Sequence, residues 1–256
     1  MPVHEVAQRG FGSEAETYDR SRPTYSAETV AWLVEALGIG AGRTVADVAA
    51  GTGKMTRLLE PTGATLVAVE PVEGMRQVLR KTVPTVPVVA ATAEALGFAD
   101  ESLDAITVAQ AFHWFDADAA LPELRRVLRP GGRLGLVWNA RDRSVDWVDQ
   151  VWGVMDRLEK HAPWRDHENW YESAFAAERW FGPLHQEEFR HEQLLTPEGV
   201  IERFRGVSHL AVLTPEEREP HLEEVREVLR THPDARGRDE LALPYRVDAY
   251  WCERLA

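Results

Sequence analysis

With 256 residues, 44% of them hydrophobic and 28% charged, the chain is long enough to bury a substantial core in one large domain or two small ones. A formal net charge of −13 argues against a nucleic-acid surface, which needs clustered Lys and Arg. Cys252 is the only cysteine, which excludes an internal disulfide; MPVHEVAQRG lacks the apolar stretch of a secretory signal, and no apolar run approaches the roughly 20 residues of a membrane span, so a soluble cytoplasmic protein is expected.

Residues 1–43 read as an N-terminal helical cap segment, with a helix in AETVAWLVEALG. From 44 to 140 short apolar runs alternate with amphipathic ones. TVADVA (44–49), TLVAVE (65–70), VPVVAA (86–91), LDAITVAQ (103–110) and GRLGLVWN (132–139) read as strands. GKMTRLLE, VEGMRQVLRK and ADAALPELRRVLRPGG read as the helices between them, the last closed by Pro130 and the glycine pair. Strands apolar throughout and separated by helices predict an α/β fold, a doubly wound, mostly parallel sheet with helices on both faces. Residues 141–256 read as a helical insertion plus C-terminal strands forming the substrate side of one domain. LHQEEFRHEQ alternates as a strand, TPEGVIERF opens a helix after Thr196, and TPEEREPHLEEVREVLR holds another. LALPYRVDAYW is a final strand that Pro244 places at an edge or a bend.

The stretch DVAAGTGKMT, Asp47 to Thr56, has the look of a phosphate-holding loop. It fails the P-loop pattern twice, because Val48 stands where the first glycine belongs and Met55 follows Lys54 in place of a hydroxyl. It fails the dinucleotide pattern once, because Thr56 occupies the third glycine position. Other strand ends carry further chemistry. Glu70 closes the second strand nineteen positions after Gly51, a spacing suited to ribose hydroxyls. AATAEAL follows the third strand and AQAFHWF the fourth.

Together, VADVAAGTGKMTRLL, LVAVEPVEGM, ATAEALGFADESLDAITVAQAFHWF and LRRVLRPGGRLGLVWN resemble the successive motifs of class I S-adenosylmethionine-dependent methyltransferases. More narrowly they are similar to the small-molecule branch of trans-aconitate methyltransferase-like proteins, with YDRSRPTY similar to that branch's N-terminal segment. The resemblance implies S-adenosylmethionine as cofactor and S-adenosylhomocysteine as product. It implies that Asp47 and the Ala49–Gly53 loop, Gly51 included, line the methionine portion, and that Glu70 clasps the ribose. Pro71 and Met75 would cover the adenine, Ala93 would offer its amide with Thr92 beside it, and the Gln110 backbone would approach the cofactor's amino group. Tyr18 and Arg22 would close over the methionine end. The chain departs from the family where Ala49 replaces a common glycine and Thr92 a common aspartate.

His113 is the candidate general base, facing the transferred methyl; the plainer reading makes it pocket wall beside Trp114 and Phe115. Trp147, Trp152, Trp164, Trp170 and Trp180 read either as an aromatic roof over an acceptor or as ordinary core. His185 and His191 share a strand face but lack a third ligand, so no metal is expected. Lys54 reads as a helix surface residue. The expected partner is a small-molecule methyl acceptor, aromatic or carboxylate-bearing. Arg22, Arg141 and Arg143 are candidate carboxylate anchors, and Asn139 and His209 are further candidates for the pocket. A protein or peptide acceptor, a non-catalytic cofactor-binding assembly protein and a nicotinamide dehydrogenase are the competing readings.

Overall fold

Five apolar runs and two C-terminal strands assemble, among the described residues, into one seven-stranded sheet. The computed structural model describes residues 15–158, 174–176, 179–207, 210 and 213–256, the side chains of 16–18 and 158 excepted. The strands are β1 (Thr44–Val48), β2 (Thr65–Val69), β3 (Val88–Val89), β4 (Leu103–Ala109), β5 (Leu128–Arg141), β6 (His185–Leu195) and β7 (Leu241–Glu253), in spatial order β3-β2-β1-β4-β5-β7-β6. β3 to β5 run parallel, and β7 pairs antiparallel with both β5 and β6. The sheet is therefore doubly wound and mostly parallel, and its strand order reverses between β1 and β4. In such sheets a crevice opens beyond the carboxyl ends of the strands at that reversal.

Helices cover both faces. α1 (Ala15–Ser21), α2 (Ala27–Leu37), α3 (Lys54–Leu59), α4 (Glu73–Thr82) and α5 (Ala117–Val127) surround the parallel part. On one face Leu33 and Leu37 of α2, Met55 and Leu59 of α3 and Leu79 of α4 pack on Val45, Ala68 and Ala105. On the other, Leu121, Leu124 and Val127 of α5 meet Ala46, Ile106 and Leu134. α2 is bounded by local chemistry: the Ser26 side chain accepts from the Thr29 amide, and Gly38 closes it in the left-handed conformation. Three more helices, α6 (Asp146–Leu158), α7 (Pro197–Arg205) and α8 (Pro215–Thr231), pack on the start of β7 as a helical cap with its own core. Thr196 caps α7, and Thr214 with Glu217 forms a reciprocal capping box on α8. Among the described residues no helix is long and apolar enough to cross a membrane.

Three expectations about the strands are corrected. β3 is two residues long instead of six, because Pro84 and Pro87 crowd its start and prolines cannot donate to a ladder. β5 begins at Leu128, so α5 already ends at Val127 and Pro130 with the glycine pair falls in the irregular start of a strand. β7 lies inside the sheet, not at its edge. Its ladder with β5 ends at Arg141↔Tyr245, and the Pro244 carbonyl accepts from the Asp142 amide 3.0 Å away. Backbone N and C=O of one strand residue face the same side, so the missing Pro244 N–H falls where β5 has run out, while Pro244 still sits opposite Glu192 of β6.

Candidate functional site

The reversal point is marked by backbone strain. Ala49, directly after β1, and Gln110, directly after β4, both adopt left-handed conformations, at φ 55° and 59°. This conformation costs a non-glycine residue about 1–2 kcal/mol and persists only where surroundings enforce it. Here the Ala50 amide donates to Val69 O (3.0 Å) and the Gln110 amide to Val137 O (2.8 Å), pinning both turns to neighbouring strands. Ala49→Gly is therefore expected to raise stability by about 0.5–1 kcal/mol, the relief of strain less the added freedom of the unfolded chain. Thermal unfolding checks this, with a rise of about 2 °C expected.

The two glycines of the loop have different tasks. A side chain on Gly53 (φ 87°) would meet Val83 at 3.0 Å and Leu79 at 3.2 Å, so this residue lets α3 sit against α4. A side chain on Gly51 (φ 58°) would meet nothing within 4 Å, so open space lies above the loop. Glu70 fixes that loop from below. It is 5% exposed, and its Oε2 accepts from the Gly51 amide (2.9 Å) while Oε1 accepts from the Val72 amide (2.8 Å). Burial raises its pKa above the ordinary carboxylate value, against the pull of the two amides.

Asp47 lies deeper. It accepts hydrogen bonds from Thr56 Oγ1 (2.5 Å) and Thr107 Oγ1 (3.0 Å), tying β1, β4 and α3 together beneath the loop. Burial lifts its pKa to about 6. Ala93 is buried, and Thr92 bridges to Ala95 in the turn after β3. Pro71 is half-buried, whereas Met75 packs into a small cluster with Ala15, Val72 and Val78.

Lys54 is not a surface residue. Only 18% of its side chain is exposed, and it faces Asp19 of α1 at 3.8 Å. Burial lowers its pKa; Asp19 opposes the shift, and Arg57, Arg203 and Arg22 add to it. Asp19 also accepts from Thr52 Oγ1 (2.7 Å) and Arg57 Nη2 (2.9 Å). Burial alone would raise the Asp19 pKa, yet these donors and the Lys54 charge hold it below the usual range. Asp19 thus fastens α1 over the loop, a task that its place in YDRSRPTY did not disclose.

His113 sits in a short 3-10 turn, Phe112–Trp114, beyond Gln110. The Trp138 indole N–H donates to its Nδ1 (3.4 Å), so the ring proton resides on Nε2. Burial, aided by the Arg22 charge, pushes its pKa down to about 4. A neutral imidazole presenting Nε2–H is a hydrogen-bond donor at pH 7 and a poor proton acceptor. An NMR titration of the ring should give a midpoint near 4 and the Nε2–H form; a midpoint of 6 or higher would refute this assignment. The activity profile should correspondingly carry no His113 inflection between about pH 5.5 and 8.

Arg22 donates from Nη2 to Gly206 O (3.1 Å) at the end of α7. Asn139 joins the rim: its Nδ2 donates to Thr24 O (3.1 Å) and its Oδ1 lies 3.2 Å from His191 Nε2. Arg143 is held between Asp149 (2.6 Å) and Asp156 (2.8 Å), which removes it as an anchor for another carboxylate. Trp147 and Trp152 belong to the cap core, where Trp152 meets Phe204 edge-on at 4.3 Å, so plain packing explains both. Trp180 packs beside the main core under Arg125 and Arg179. Rings stack on both β6 histidines, Trp251 on His185 and Tyr245 on His191. Trp164, Trp170, His209 and the side chain of Tyr18 lie outside the described residues. Among those described, no group of three or more His, Cys, Asp or Glu is placed to hold a metal.

A family profile described as a methyltransferase domain matches residues 46–136, the span from β1 into β5. The chain is 40% identical over 235 residues to an uncharacterized methyltransferase of Mycobacterium tuberculosis, covering 92% of this chain and 91% of that protein. It is 43% identical over 136 residues to a demethylmenaquinone methyltransferase of a Mycobacterium species, covering 51% of this chain and 58% of that protein. Among solved structures it is similar to a candidate type II methyltransferase from Anaeromyxobacter dehalogenans, with 29% identity, a TM-score of 0.60 and coverage of 91% and 96% of the two chains. It shares its fold with phosphoethanolamine N-methyltransferase 2 of Haemonchus contortus in complex with S-adenosyl-L-methionine, at 14% identity and a TM-score of 0.61, covering 100% of this chain and 60% of that one.

Proposed function

Since the chain belongs to the S-adenosylmethionine-dependent methyltransferases, we propose that the crevice beyond β1 and β4 binds S-adenosylmethionine and that the methyl passes to a small-molecule acceptor. The observation that carries this reading is the open space over Gly51, bounded by the strained ends of β1 and β4 and underpinned by Glu70. The residues present fit the cofactor. Glu70 retains free lone pairs on both carboxylate oxygens for ribose hydroxyls, and Thr92 and Ala93 stand in the turn after β3 for the adenine. Gln110 and the Ala49–Gly53 backbone border the methionine side. A relative named for demethylmenaquinone favours a small acceptor over a protein or peptide.

When bound, the cofactor supplies a methyl on a positively charged sulfur, already activated for displacement by a nucleophile in line with the leaving group. The chain's own residues then mainly align the acceptor and exclude water. Trp138, holding the His113 imidazole, leaves Nε2–H free to donate to an acceptor oxygen or nitrogen. His113 in this account positions the acceptor and removes no proton. The Asp19 links to Thr52, Lys54 and Arg57 hold α1 over the loop and shield it from bulk water.

Calorimetric titration with S-adenosylmethionine and S-adenosylhomocysteine, with NADH as control, tests the cofactor assignment. Binding of both sulfur ligands and not of NADH is expected. NADH binding alone would return the site to a dehydrogenase. Cofactor bound without turnover across a broad acceptor screen would favour a non-catalytic assembly role.

A further inference from the structure

The cap meets the cofactor crevice at a buried arginine with no counter-charge among the described residues. Arg203 of α7 is 2% exposed. Its one hydrogen bond among the described residues runs from Nε to Tyr245 Oη (3.2 Å), and Nη1 is buried with no partner. No carboxylate pairs with it among the described residues. Its other neighbour is the face of Trp152, 5.9 Å from Cζ, and the same ring also carries Arg141 at 4.8 Å. A guanidinium cannot shed its proton, so the neutral escape open to a buried lysine is closed to it. Buried charge without a partner is strongly unfavourable, and here cations add to it. Arg203 and Arg22 both press on the Lys54 ammonium at the start of α3.

Two more buried donors lack acceptors in this region. Among the described residues Trp152 Nε1 has no hydrogen-bond partner, and neither has Ser21 Oγ at the end of α1. Ser21 is joined to Arg203 by a short relay: its carbonyl accepts from Gln193 Nε2 (3.2 Å), Tyr245 Oη donates to Gln193 Oε1 (3.3 Å), and Arg203 holds Tyr245. The hydroxyl also lies against Gly206, one turn beyond Arg203, where even a methyl group would approach it to 2.7 Å.

From these orphaned donors we infer that the junction of α1, α6 and α7 is an oxyanion subsite, in which the Nη end of Arg203, with Ser21 Oγ and Trp152 Nε1, holds a carboxylate or phosphate of the methyl acceptor. The inference rests on the methyltransferase reading for its occupant, and on the geometry alone for its charge. Arg22, bonded to Gly206 O at the end of α7, and Lys54 at the start of α3 put the subsite on the side of the cap that faces the loop after β1. The anchored group is a handle and not the nucleophile, since pairing with a guanidinium lowers the basicity of its oxygens. Hydrogen bonds to charged groups contribute about 1.5–3 kcal/mol, so loss of this pair should weaken anion binding roughly 10- to 100-fold.

The test uses benzoate, phenyl phosphate and neutral benzamide as probes on the full chain, titrated with and without S-adenosylhomocysteine. Benzoate or phenyl phosphate is expected to bind at least about tenfold tighter than benzamide, and whichever binds more tightly names the oxyanion. Arg203→Met should lose that preference while its S-adenosylhomocysteine affinity stays unchanged; Arg203→Lys should recover part of it. An anion preference that survives in Arg203→Met, or its absence from the wild type, would overturn the subsite. If the wild type binds benzoate through Arg203 but not S-adenosylhomocysteine, the cofactor assignment falls and the anion site stands. If it binds S-adenosylhomocysteine and no anion, the reverse holds.

Discussion

Glu70→Ala should weaken S-adenosylmethionine binding by about 100-fold or more, and should also lower stability in the absence of any ligand. The first effect follows from the proposed pairing of the carboxylate with ribose hydroxyls, at about 1.5–3 kcal/mol for each hydrogen bond to a charged group. The second follows from the structure itself. Without Glu70 the Gly51 and Val72 amides lose their acceptor, and the buried Val72 donor left unsatisfied costs about 1–3 kcal/mol. Calorimetry measures the first and denaturant unfolding the second. Glu70→Gln separates them, because its single carbonyl oxygen keeps one amide bonded while the charge is gone. A Gln variant that holds most of the stability yet binds the cofactor about tenfold more weakly would show the charge acting on the ligand. An alanine variant with wild-type affinity would remove Glu70 from the cofactor site.

Asp47 should give the protein an unusual pH dependence in the mildly acidic range. Its folded pKa is raised from 3.8 to about 6 by burial. Below about pH 4 the group is protonated in both states and its stabilising contribution is complete. As pH rises through 4 to 6 the unfolded chain releases the proton first, and the contribution is lost; above about 6 the loss is finished. At 1.36 kcal/mol per pKa unit the difference is on the order of 3 kcal/mol. Asp47→Asn cannot ionise, so its stability relative to wild type should climb by about that amount between pH 4 and 6.5 and then level off. Because the other carboxylates are common to both proteins, they cancel in the difference. The hydroxyls of Thr56 and Thr107 must share an amide in place of a carboxylate, which adds an offset independent of pH. Chemical unfolding across the range checks this, and a flat difference would show that Asp47 ionises normally.

The parallel strands were legible because burial on both faces writes them as unbroken apolar runs such as TLVAV and AITVA. Where that condition lapses, so does the reading: β3 shortens between prolines, and β5 extends through residues that look like a turn. The interior place of β7 depends on where β5 stops, which a local pattern cannot express. The same limit governs the site. Gly51, Glu70 and Gln110 fall just after or at strand ends, positions that the apolar runs before them mark in the sequence. Lys54 looked solvated because Asp19, thirty-five residues earlier, is what covers it. Arg203 in VIERF resembles the polar side of an amphipathic helix, and only the packing of α6, α7 and β7 reveals that it is dry. His113 follows β4 in the chain, but its protonation is set by Trp138 from another strand.

The interleaving of β6 and β7 bears on how the chain is made. Among the described residues β6 pairs with β7 alone, β7 links β6 to β5, and about forty-five residues of chain separate β6 from β7. In chain order, β6 thus precedes the strand that joins it to β5. The native arrangement requires the place between β5 and β6 to stay open until β7 inserts. Premature zippering of β6 onto β5 is the trap this topology invites, and non-local pairing of that kind is slow and prone to aggregation. The run HQEEFRHEQ along β6, charged or polar at nearly every position, is well suited to keep the strand solvated while it waits.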